Sequence, residues 1–261
     1  MTRVRIVIPA RLASSRLPEK LLRVVGGKSV LRWTHAAVSR SRYGDGVVVA
    51  VDHPRLADEV ERFGGRWVMT DPDLPSGTDR IAAAIRDDGS IGPDDVVVNV
   101  QGDEPMIDPN SIDAVAGLLV DSPAAEMSTA VTPIRTEADY RDPACVKAVL
   151  GDDGRALYFS RSPVPAYRDG GVDWKSDPPP AWKHLGLYAY RRRTLEWFAA
   201  SEPSTLELAE RLEQLRVVQS GREIRVARVD EAAIGIDTEE DLRRFERTLE
   251  SRLQPILRPA A

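Results

Sequence analysis

The chain carries a single cysteine, Cys145, so no internal disulfide framework supports it. A lone thiol of this kind reads as a small buried hydrophobe and suits a reducing compartment. No apolar run approaches the ~20 residues of a membrane span, and the N-terminal run lacks the long apolar core and cleavage site of a signal peptide. The expected location is the cytoplasm, with no membrane partner. An excess of positive charge is also missing: the formal net charge is −5, which argues against nucleic acid as a partner. Glycine-rich phosphate loops are absent too. Gly27-Lys28-Ser29 supplies the tail of a Walker loop, but Leu22 stands where its first glycine belongs, and the match falls well past the first strand. A dinucleotide fingerprint would need glycines between Pro9 and Lys20, and there are none.

What is present is a patterned opening. Val4 to Ile8 is a β-branched run that predicts a buried strand, and Pro9, which has no ladder donor, is expected to stop it. Arg11, Arg16 and Lys20 then place three cations at the carboxyl end of that strand, the end where open α/β sheets bind ligands. Ser14 and Ser15 add hydroxyls, and small Ala13 lets backbone approach a ligand. The stretch from Ala10 to Lys20 reads as a polyphosphate loop that grips with side chains as well as backbone.

Strands and helices alternate through the first half. A helix is predicted over Ser29 to Ser39, a strand over Gly46 to Val51, a helix capped by Asp52 and running through Phe63, and strands at Arg66 to Met69 and Val96 to Val100. Runs apolar on both faces belong to parallel sheets covered by helices on both sides, so the fold class is α/β, a doubly wound and mostly parallel sheet. From residue 126 to 192 the texture becomes strand-rich: Met127 to Ile134, Val146 to Leu150, Ala156 to Ser160 and Leu185 to Tyr190, with an antiparallel hairpin turning at Gly151 to Gly154. Ser162 to Pro180 reads as a long mobile loop. Helices return over Arg193 to Ser220, a strand over Glu223 to Val229, and a helix over Thr238 to Arg252 that opens on a capping-box-like Thr238 and Asp241. Residues 1–253 are expected to form one domain, with 126–192 as an excursion and 254–261 as a loose tail.

Several polar clusters sit at the ends of these elements. Asp103 follows the Val96 strand in Gln101-Gly-Asp-Glu-Pro105 and faces the Arg11 crevice, where oxygen ligands suit Mg²⁺; a capping aspartate in a turn is the plainer alternative. Asp237, in Gly235-Ile-Asp-Thr238, is on its own an ordinary helix cap. Ser76 and Arg80, in Pro75-Ser-Gly-Thr-Asp-Arg80, fit either a helix start or hydrogen bonds to a flat base. Arg161 ends a strand with a planar fork that matches a carboxylate or a surface ion pair. His184, Gly186, Tyr188 and Tyr190 alternate onto one face of their strand.

Ile8 to Lys20 (IPARLASSRLPEK), QGDEP at 101–105, SGTDR at 76–80, HLGLYAYR at 184–191, LEQLR at 212–216 and GIDT at 235–238 together resemble the sugar-acid cytidylyltransferases, particularly those acting on 3-deoxy-manno-octulosonate (Kdo). The resemblance runs from Val4 to about Arg243. It departs at Glu19, where many relatives carry glycine, and has no pattern to match in Ala166 to Trp182. It implies a nucleotide-diphospho-sugar transferase-like fold, an excursion that serves sugar binding and a homodimer, and transfer of CMP from CTP to Kdo for lipopolysaccharide-type glycans. It also implies roles. Ala10, Arg11, Ser14, Arg16, Lys20, Ser76, Arg80 and Gln101 would contact the nucleotide. Gln101, Arg161, His184, Tyr188, Glu213 and Gln214 would contact the sugar, and Asp103 and Asp237 would hold Mg²⁺. Activation of a sialic acid or an amino-Kdo, a glycosyltransferase of similar fold, and a nucleotide-binding module without catalysis stay open at this point.

Overall fold

The computed structural model describes residues 2–230 and 235–253; the expected tail at 254–261 lies outside them. In chain order the strands are β1 (Val4–Ala10), β2 (Val24–Val25), β3 (Lys28–Ser29), β4 (Val48–Val51), β5 (Trp67–Met69), β6 (Val96–Asn99), β7 (Met127–Pro133), β8 (Lys147–Leu150), β9 (Ala156–Ser160), β10 (Trp182–Arg191) and β11 (Ile224–Arg228). The helices are α1 (Val30–Val38), α2 (Pro54–Arg62), α3 (Gly77–Ile85), α4 (Pro109–Asp121), α5 (Glu137–Arg141), α6 (Arg192–Ala200), α7 (Thr205–Glu210), α8 (Gln214–Gln219) and α9 (Glu239–Leu253).

The main sheet runs β11-β7-β10-β6-β1-β4-β5, with the β8–β9 hairpin attached beside β10. Neighbours in that row are parallel except at β10, which opposes both β6 and β7. Ile6, Val7 and Ile8 are fully buried, Ile6 and Ile8 in a core under α1, α2, α4 and α9, and Val7 in a second core under α3, α6 and α8. Alternate residues of one strand thus feed opposite layers, which is why the central strands are apolar on both faces.

Four readings change. Pro9 does not end β1, which continues to Ala10. Val7 offers its carbonyl to the Val100 amide on the β6 side, and Pro9, two residues on, faces that side where β6 has already ended, so its missing donor costs no ladder bond. Asp52 does not cap α2; His53 does, its Nδ1 accepting from the Arg55 amide at 3.1 Å, with Pro54 in the first turn. The 126–192 stretch is less an excursion than expected, because β7 and β10 are central strands and the β8–β9 hairpin stands outside the row. The 162–180 loop is pinned: Tyr140, Tyr167 and Trp174 pack against one another, the Tyr140 and Tyr167 hydroxyls bond to the Pro165 and Pro180 carbonyls, and Arg135 donates to the Ser176 carbonyl at 2.8 Å.

Candidate active site

The loops that leave β1 and β6 meet at the carboxyl edge of the sheet. Gly102 lies so close to β1 that a Cβ there would stand 3.0 Å from the Pro9 carbonyl oxygen, so the turn after β6 packs more tightly on β1 than a larger residue would allow without a shift. Thr34 of α1 donates to the Gly102 carbonyl at 2.9 Å and steadies the turn from behind. The Ile236 amide donates to the Asp103 carbonyl at 2.9 Å and ties the segment before α9 to the same turn. Asp241 then accepts from the Thr238 amide (2.8 Å) and hydroxyl (2.7 Å) and from the Asp237 amide (3.2 Å). Asp241 therefore holds the backbone that presents Asp237.

These supports bring four predicted residues together. The Lys20 ammonium contacts the Asp103 carboxylate and stands 2.9 Å from the Asp237 carboxylate, whose other oxygen pairs with Arg16 at 2.9 Å. Partial burial pulls the Lys20 pKa down, but the two carboxylates outweigh it and the net shift is upward. Arg11 is exposed and, among the described residues, has no carboxylate partner. Buried Ala10 ends β1 beneath the loop, and Ser14 is half-buried on its outer side. Glu19 turns to Arg55, so its acid charge is neutralised away from the other cations. Its φ of 52° is the left-handed region that favours glycine.

A cleft of about 300 Å³ opens here, lined by Arg11, Lys20, Ser76, Arg80, Gln101, Asp103 and Glu213. Ser76 caps α3, accepting from the Asp79 amide at 3.1 Å and donating to its carboxylate at 2.7 Å. Arg80 is nearly buried: it donates to the Thr70 hydroxyl (2.6 Å) and the Asp71 carbonyl (3.1 Å) and pairs with Asp52. Gln101 donates to the Asn99 amide oxygen at 3.1 Å, and Asn99 is the register partner of Tyr188. Glu104, beside Asp103, has its pKa pushed up to about 8, first by burial and then by its acidic neighbour.

The sugar-side residues divide. His184 is buried, its Nε2 3.0 Å from the Thr129 hydroxyl and its Nδ1 3.4 Å from the amide nitrogen of buried Gln214. Burial lowers its pKa to about 3, so the ring is neutral. Thr129 also reaches the Leu187 carbonyl at 2.8 Å, and donating there leaves its oxygen to accept from Nε2–H. Tyr188 packs against the His184 ring, with 5.4 Å between centroids. Glu213 accepts from Thr78 at 2.9 Å, and partial burial against the cleft wall raises its pKa. Arg161 departs from expectation: its guanidinium donates to the Glu210 (2.7 Å), Pro143 (3.1 Å) and Arg211 (3.3 Å) carbonyls. Backbone carbonyls thus take three of its five N–H donors and fix the direction of the fork.

Asp52, Thr34, Thr129 and Asp241 were not read as parts of the site. Asp52 had a signal available, since it is an acid directly after a parallel strand, as Asp103 nearly is. Thr34 and Thr129 had none, because a hydroxyl in an apolar run looks like packing.

Comparison with known proteins adds three findings. Residues 5–224 match the sequence family described as cytidylyltransferase. A 3-deoxy-manno-octulosonate cytidylyltransferase of Rhodopirellula baltica is 54% identical over 94% of this chain and 98% of its own length, and an 8-amino-3,8-dideoxy-manno-octulosonate cytidylyltransferase of Shewanella sp. is 43% identical over 94% and 98%. Among solved structures, CMP:2-keto-3-deoxy-manno-octonic acid synthetase complexed with CTP superposes with a TM-score of 0.87 at 36% identity, covering 97% of this chain and 100% of that one.

Proposed function

The chain belongs to the cytidylyltransferase family, and from that membership we propose that it transfers CMP from CTP to the anomeric hydroxyl of Kdo, giving CMP-Kdo and pyrophosphate. The observation that carries the reading is the meeting of Asp103 and Asp237 on Lys20, beside Arg16 and above the end of β1. Cations and acids alternating around one cleft suit a triphosphate and its counter-ion. In this reading the sugar oxygen bonds to the α-phosphorus in line as the bond to the bridging oxygen breaks, pyrophosphate leaves with that electron pair, and the hydroxyl proton passes to solvent. Arg11, Arg16 and Lys20 hold the phosphates, and the side chains contribute mainly position and charge.

The donor set fits Mg²⁺: two carboxylates, Asp103 and Asp237, already share one cation. Such a pair suits an ion that completes its shell with phosphate oxygens and water. When bound by Asp103 and Asp237, Mg²⁺ supplies charge neutralisation at the triphosphate. His184, Gln214 and Tyr188 form the wall proposed to meet the sugar. The family resemblance also supports a homodimer, for which light scattering should give twice the chain mass. No described helix is long and apolar enough to cross a membrane, and we place the protein in the cytoplasm.

The test is pyrophosphate release from CTP with Mg²⁺ and Kdo. No release above the sugar-free control overturns the proposal. An 8-amino-Kdo acceptor is the second reading, favoured by the Shewanella relative, and the two sugars side by side decide it.

A further inference from the structure

Asp52 stands at the carboxyl end of β4, its side chain only 8% exposed, and the chemistry above gives it no task. One carboxylate oxygen accepts from the Leu12 amide at 2.9 Å, the peptide that directly follows Arg11. The other faces the Arg80 guanidinium at 3.5 Å, beyond hydrogen-bond length, so that contact acts through charge. Arg80 is in turn held by the Thr70 hydroxyl and the Asp71 carbonyl, and Thr70 is tied back to β4 through the Val51 carbonyl at 2.8 Å. A single carboxylate thus joins the loop after β1, the end of β4, the loop after β5 and the first turns of α3. Arg11 and Arg80 both line the cleft. Burial lowers the Arg80 pKa, Asp52 opposes that shift, and Arg11 adds to it, so the two guanidiniums repel each other and Asp52, with a smaller share from Asp71, offsets the repulsion.

We propose that Asp52 is a positioning residue for the nucleotide, aligning the Arg11 loop and Arg80 along the cleft they both line. The inference rests on the reading of that cleft as the CTP site. It predicts a selective defect: CTP is held poorly while the sugar side is unchanged.

The experiment compares wild type, Asp52→Asn and Asp52→Ala. Pyrophosphate release is measured with CTP and Kdo varied separately, and CTP binding is measured directly by calorimetry. Alanine removes both contacts and should raise the KM and Kd for CTP about tenfold, the size of one lost charge-assisted hydrogen bond. Asparagine keeps an oxygen for the Leu12 amide but not the charge beside Arg80, and should give an intermediate rise of about threefold with a nearly unchanged melting temperature. The KM for Kdo should stay within about twofold in both. If alanine does not fold, asparagine carries the test. A residue that merely supports the fold would lower active fraction and kcat without a CTP-specific change, and that result overturns the inference, as does an equal shift in both KM values. Absence of turnover with Kdo in a wild type that still binds CTP would instead count against the proposed acceptor, and calorimetry would still decide the role of Asp52.

Discussion

Two side chains in the cleft region answer to single substitutions. Asp103→Asn keeps size and shape at a half-buried position, so the protein should melt within a few degrees of wild type. Pyrophosphate release should nevertheless fall by about 10²-fold or more, the usual loss when a charge aimed at a transition state is removed; retained turnover with Mg²⁺ would remove Asp103 from the metal site. His184 makes a prediction about pH. Its pKa of about 3 lies below the ordinary 6.5, so on acidification the unfolded chain takes up a proton that the folded chain refuses. Its contribution is present above pH 6.5 and is lost as pH falls from there toward 3. The stability advantage of wild type over His184→Gln should therefore shrink by about 2 kcal/mol between about pH 7 and pH 5. Glu104, raised to about 8, works with the opposite sign, its contribution being present below 4.5 and lost as pH rises through 8. It is common to both proteins and cancels in the difference. A constant difference in denaturant unfolding across that range would contradict a buried neutral ring. The sequence named His184 but not its state, because desolvation is a property of the neighbours.

At the scale of elements, β10 carries an irregularity that no periodicity announces. Leu185 pairs with Ala130 and Tyr188 with Thr129, so Gly186 and Leu187 are additional to the ladder. Two extra residues preserve alternation, and His184, Tyr188 and Tyr190 still share a face, as their spacing implies. Thr129 holds the bulge through the Leu185 and Leu187 carbonyls. Thr129→Val, nearly equal in volume, should cost about 1–3 kcal/mol in denaturant unfolding, because it strands buried partners without opening a cavity. Apolar period was a sound guide to β4, β6, β8, β9 and α1, each found within a few residues of its expected span. It failed where a polar side chain had two possible uses. Asp52 and His53 both precede α2, and only coordinates show which one turns inward. Arg161 likewise has the fork for a carboxylate, and the Glu210 and Arg211 carbonyls take part of it.

For the molecule as a whole, the cleft depends on residues far apart in the chain. Lys20 and Asp237 are 217 positions apart, and nothing in local pattern brings them together; the motif order suggested it, and the sheet supplies the geometry. Asp237 arrives because α9 is moored, Phe245 being buried and edge-on to Trp33 at 6.1 Å. Phe245→Ala should cost about 3–5 kcal/mol as measured by denaturant midpoint. Activity should fall further than a stability-matched core variant on the opposite layer, such as Phe198→Ala; equal losses would mean that α9 does not steer Asp237. The reversed course of β10 has its own consequence. Running against β6, it brings its beginning to the rim where its neighbours bring their ends, with His184 following at once on the 162–181 segment. In the proposed reading, the phosphate-binding cations lie on a loop that leaves a strand, whereas His184 and Tyr188, proposed to meet the sugar, lie where a strand begins. The two halves of the rim are therefore encoded in separate stretches of chain, and inheritance can alter the taste for one substrate while leaving the grip on the other intact.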